Sequence, residues 1–130
     1  MKFNNFRLVI SIGFLFSSCQ GENIYRDYKD LNAAITAGEF SRGWLPPSLP
    51  ESSSNIMIYN NVDTNTGGGT FDFNPSEVPA FIEKIKTRFA IQKSDGENPQ
   101  LVNFEYQKSH WYLSLPKDGK NATWTMNLSP

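Results

Sequence analysis

The chain has 130 residues, with 12 Lys and Arg against 13 Asp and Glu and a formal net charge of −1. That balance, with no basic run, excludes the electrostatic footprint of a nucleic-acid-binding protein and of a polybasic membrane patch. One cysteine and one histidine exclude an internal disulfide and leave multi-histidine metal sites and nucleophilic triads short of parts, so no cofactor is expected.

Residues 1–18 have the parts of a secretory signal. Lys2 and Arg7 give a positive start, and Leu8, Val9, Ile10, Ile12, Phe14, Leu15 and Phe16 form an apolar stretch. It is too short for a transmembrane helix, which needs about twenty such residues. Ser17 and Ser18 are small residues placed just before Cys19. The stretch Leu15-Phe16-Ser17-Ser18-Cys19 resembles the lipobox of bacterial lipoproteins, with Phe16 where Leu is usual. The resemblance implies cleavage before Cys19 and lipidation of its thiol and amine, hence a lipid-anchored protein of the bacterial cell envelope. Gln20 in place of Asp after the cysteine implies delivery to the outer membrane if the source is Gram-negative. More than one acyl chain gives stable anchoring where one alone is marginal.

Removing residues 1–18 leaves 112 residues carrying ten basic and thirteen acidic side chains, a net charge of −3. Residues 19–130 are then one domain, large enough for its own core, on a short tether of Gln20 to Asn23.

Ile24, Tyr28, Leu31 and Ile35 recur at helical spacing and predict an amphipathic helix that stops near Gly38. Arg26, Asp27, Lys29 and Asp30 then form its solvated face. The segment Phe40–Pro50 contains three prolines, which forbid a continuous helix or central strand. It is expected to lie extended across the domain, pinned by Trp44, Leu45 and Leu49. Ile56-Met57-Ile58-Tyr59 is apolar on both faces and reads as a central strand. Residues 60–69, rich in Asn and Gly, are expected to be a mobile loop that joins it to an alternating strand ending in Phe71-Asp72-Phe73. Within the loop, Asp63-x-Asn65-x-Gly67 spaces oxygen ligands as calcium loops do. A full site takes about six to eight oxygens, so the segment reads as a turn and no metal is expected.

Arg42-Gly43-Trp44-Leu45-Pro46, Leu49-Pro50, Ile56, Asn61, Asp63-Thr64-Asn65-Thr66 and Phe71-Asp72-Phe73 fall in an order that resembles the YbbD head domain of small bacterial proteins and lipoproteins. The resemblance covers about residues 40–73 and implies a shared fold, with no activity attached to it.

Val78, Phe81, Ile82, Ile85 and Phe89 mark the buried face of a second helix over Pro75–Ile91, capped by Asn74 or Ser76. Lys84, Lys86 and Arg88 read as a solvated basic face. A polar loop over 93–100 follows. Val102/Phe104/Tyr106, Trp111/Leu113/Leu115 and Trp124/Met126/Leu128 then alternate with polar residues and predict a three-strand meander, its last two strands joined at Asp118-Gly119. His110, beside a turn, reads as a surface residue.

The expected fold is α+β, an antiparallel sheet of about five strands with two helices packed on one face. The expected role is binding or structural and non-enzymatic, toward an envelope protein partner. Trp44, Tyr112, Asp63 and Asn65 are the candidate contact residues. Tyr112 faces away from Trp111 and is the candidate in an alternative reading as an envelope sugar-binding module or hydrolase. A toxin inhibitor or immunity protein fits the size and acidity without a supporting motif.

Overall fold

A computed structural model describes residues 21–95 and 97–128; the expected export segment over 1–18 and Cys19 lie outside them. The first element is a strand, not a helix: β1 (Ile24–Asp30), followed by the short helix α1 (Leu31–Thr36). β1 pairs antiparallel with β2 (Ser54–Asn61), placing Arg26 opposite Ile58 and Tyr28 opposite Ile56. Ile24, Tyr28, Leu31 and Ile35 thus span two elements. Their helical spacing arises by chance, and the inward Arg26 hides the true period of two. Asp30 accepts a 2.8 Å hydrogen bond from the Ala33 amide and so caps α1. Gly38, at φ +88°, turns the chain away after it.

β3 (Thr66–Asp72) contains Gly67, Gly68 and Gly69, so the segment expected to be a mobile loop is mostly strand, with the turn confined to residues 62–65. The glycines are there because rings lie on them. Trp44 lies over Gly67 and Trp124 over Gly69 on one face, and Tyr59 over Gly68 on the other. A Cβ on Gly67 would stand 3.1 Å from the Trp44 ring.

After a single 3₁₀ turn at Pro75–Glu77, α2 runs Val78–Arg88, shorter than the helix expected to Ile91. The Asn74 side chain accepts from the Ser76 amide at 3.1 Å, and Pro79 falls in the first turn of α2. Phe89 then stacks on Phe104 at 4.9 Å and meets Tyr106 edge-on at 5.4 Å. β4 (Ile91–Asp95) takes up part of the expected polar loop. The meander stands where alternation put it: β5 (Gln100–Tyr106), β6 (Ser109–Leu115) and β7 (Ala122–Leu128).

These strands form one antiparallel seven-stranded sheet in the order β1-β2-β3-β7-β6-β5-β4. The expectation of five missed β1 and β4. The β3–β7 pairing joins the N-terminal three strands to the C-terminal four, with Gly69 opposite Trp124 and Phe71 opposite Ala122. The core lies on one face of this sheet. Ile56, Ile58, Phe71, Val102, Phe104, Trp111, Leu113, Trp124 and Met126 are buried there, and Ala34 of α1 joins the same cluster as Phe81, Ile82 and Ile85 of α2. The proline segment completes the cover: residues 45–50 are all buried, led by Leu45 and Leu49. On the other face Tyr25, Leu101, Tyr112, Thr123 and Thr125 are exposed.

Candidate functional site

The site begins with a buried charge. Glu39 is fully buried, and its carboxylate is met from three directions. Arg26 donates to it through Nε and, at 3.1 Å, through Nη2; Tyr28 donates its hydroxyl at 2.6 Å; Arg42 Nη2 stands 3.2 Å away. Arg26 Nη2 also donates to the buried Asn60 Oδ1 at 2.6 Å. Burial alone would push the Glu39 carboxyl up. The bonds from Arg26 and Tyr28, with the charges of Arg26 and Arg42, outweigh it and hold the carboxyl below its ordinary value. The same burial and the bond to Glu39 raise the Tyr28 phenol.

This cluster fixes the chain that follows it. The Glu39 carbonyl accepts from the amides of Trp44 at 3.1 Å and Leu45 at 3.3 Å, closing a loop whose turn at Gly43 has φ +84°. Arg42 is tied down twice, to Glu39 and, at 3.0 Å, to the Ala37 carbonyl. The result is a rigid lip, Phe40–Leu45, standing over the core face of the sheet.

Between this lip and the β5–β6 turn lies a cleft of about 520 Å³. Phe40, Ser41, Arg42, Trp44 and Pro47 form one wall; Tyr106, Gln107 and Ser109 face them. Trp111, Met126 and Leu128 also line it, and Asn65 comes in from the β2–β3 turn. The volume suits a small ligand or a few side chains. Among its described lining residues Arg42 alone is charged, and that cation is already committed to Glu39. Trp111 is 2 % exposed, and its indole N–H is buried without a hydrogen-bond partner.

Of the expected contact residues, Trp44 and Asn65 come together in this cleft. Asp63 does not. It sits in the β2–β3 turn, where the Asn61 side-chain carbonyl accepts from the amides of Asp63 at 3.0 Å and Thr64 at 3.2 Å. Tyr112 lies on the opposite face, 42 % exposed, beside a shallow depression of about 220 Å³ that Leu101, Thr123 and Thr125 share. His110 is half-buried rather than a free surface residue, with Nε2 2.8 Å from Glu105 Oε1 and its ring stacked toward Tyr112. Arg26, expected on a solvated helix face, is instead part of the Glu39 cluster. Glu39, Tyr28 and Asn60 gave no warning of their roles in the sequence. The readable clue was the pair Gly38 and Gly43, which bracket Glu39–Arg42 and both adopt positive φ.

The fold and cleft define a small antiparallel-sheet domain with a rigid aromatic lip over a ligand-sized groove. Residues 22–72 match the YbbD head domain family, and over that segment the chain resembles YbbD head domain-containing proteins. The match reaches back past the motif at Arg42–Pro46 to take in β1, and with it Arg26 and Tyr28, the partners of Glu39. It ends with β3, so the far wall of the cleft comes from strands beyond it. No curated protein and no solved structure matches the chain.

Proposed function

We propose that this is a lipid-anchored binding protein of the bacterial cell envelope that holds an apolar segment of a protein partner in the cleft beside Trp44 and performs no catalysis. The anchor is Cys19, and the destination is the outer membrane where the source is Gram-negative. The observation that carries the reading is the lining of the cleft. Phe40, Trp44 and Tyr106 offer aromatic surface of the kind that anchors protein contacts, over a floor of buried Trp111 and Met126. No His, Cys, Asp or Glu stands among the described lining residues to move a proton.

The test is a photo-crosslinking side chain introduced in cells at Ser41, on the exposed lip, and separately at Tyr112, on the opposite face. The reading expects a protein adduct from position 41 that Trp44→Ala removes, and none from position 112. The alternative, sugar binding on the outer face, rests on the exposed ring of Tyr112. It expects Tyr112→Ala, and not Trp44→Ala, to abolish retention on purified cell-wall polymer.

A further inference from the structure

The tether that leads to Cys19 is bound to one particular end of the sheet. Asn61 Nδ2 donates to the Gly21 carbonyl at 2.8 Å, holding the start of the domain against the β2–β3 turn. Cys19 is two residues earlier in the chain. The strand register gathers the same features there. Ile24 pairs with Asn60, Thr66 with Asn127, Ser109 with Leu128, and Tyr106 with Ser109. This end therefore carries the β2–β3 turn, the β5–β6 turn and the last residue of β7.

It exposes apolar side chains among polar ones such as Glu22, Asp63, Asn65 and Lys108. Val62 at the tip of the turn is 61 % exposed, and Ile24 and Leu128 are each 49 % exposed. Tyr25, also exposed, is a residue type favoured at the membrane–water interface. At the opposite end the turns expose Glu51, Ser52, Lys117, Asp118, Lys120 and Asn121, with Leu101, 44 % exposed, on the strand beside them. β2, with 8 residues, separates the two ends by about 25 Å.

We propose that the Val62–Leu128 end of the sheet lies on the bilayer, with Ile24, Val62 and Leu128 entering the boundary between headgroups and acyl chains. The lipid surface is the occupant because only Gln20 separates Gly21, held at this end, from the anchor at Cys19. Burial of these side chains at the interface adds to the acyl chains and fixes the orientation. The cleft shares Leu128 and Asn65 with this end, so the same orientation holds it beside the bilayer surface. The proposal rests on the lipid anchor at Cys19.

The full chain is purified from membranes as wild type and as Val62→Cys, Leu128→Cys and Lys117→Cys. A lipidated Cys19 is a blocked thioether, so wild type takes up no maleimide and each variant takes up one label. The labelled proteins are reconstituted in vesicles of phosphatidylethanolamine and phosphatidylglycerol containing lipid with a headgroup nitroxide. Fluorophores at 62 and 128 are expected to lose most of their emission, and the one at 117 to keep it. Equal quenching at all three positions, with Cys19 blocked, overturns the orientation and leaves the anchor standing. Maleimide uptake by wild type overturns the anchor itself, and the orientation with it.

Discussion

Gly69 on β3 lies directly under the indole of Trp124 on β7, its partner in the sheet register. A Cβ at position 69 would collide with the Trp124 ring and with the Met57 carbonyl, which belongs to the backbone and has no rotamer in which to yield. Trp124 is 1 % exposed and touches Phe71 at 5.8 Å between ring centres. The seam that joins the two halves of the sheet is thus packed ring against backbone.

Gly69→Ala is expected to destabilise the domain by about 3 kcal/mol, since overfilling a packed core shifts backbone as well as side chains. Gly43→Ala, which meets nothing within 4 Å but sits at φ +84°, is expected to cost only about 1 kcal/mol, from backbone strain. Urea denaturation of the two variants measures the difference, and similar midpoints would refute the packing argument.

Removing the Glu39 charge leaves Arg26 without its main partner in a mostly buried setting. Glu39→Gln is expected to destabilise by about 3 kcal/mol at neutral pH, the usual scale for breaking a buried pair from one side. The pH dependence has a definite sign. The folded state holds the Glu39 carboxyl below its ordinary value, so the stabilisation is present above the ordinary carboxylate range and is lost as pH falls through the folded pKa. Asp72 behaves alike: bonds from the Asn55 side chain and the Asn121 amide, with help from Lys120 against slight burial, lower its carboxyl. Wild type should therefore lose stability on acidification more steeply than Glu39→Gln, in denaturant melts at pH 7 and pH 4. Equal slopes would show that Glu39 is not held ionised by its partners.

Tyr112→Ala should change stability by less than about 0.5 kcal/mol, because the ring stands on the open face and supports no core residue. Phe104→Ala, which removes a fully buried ring stacked on Phe89, should cost about 3 to 5 kcal/mol. Thermal unfolding of both variants checks the assignment of inner and outer faces. A large loss from Tyr112→Ala would mean that the outer face is covered.

The meander was legible because Trp111/Leu113/Leu115 and Trp124/Met126 alternate cleanly with polar residues, as a sheet buried on one side requires. β1 was not, because its inward positions hold Arg26 and Tyr28, whose burial makes sense only once Glu39, folded in from a later loop, meets them. β3 was hidden for the opposite reason. Three glycines have no side chains to alternate, and their signal lies in the rings above them, which come from Trp44, Tyr59 and Trp124. Trp44 and Asn65 could be singled out from the motif they belong to. The cleft they line could not, since its walls come from the 40–47 lip, the β2–β3 turn, the β5–β6 turn and β7, segments with no local pattern in common.

The placement proposed for the domain depends on Cys19 as its lipid anchor. The measurement that reaches it most directly is incorporation of labelled palmitate in cells by the wild type and by Cys19→Ala. Label is expected in the wild type and not in the variant, with the wild type in the membrane fraction. An unlabelled, soluble wild-type protein would contradict it.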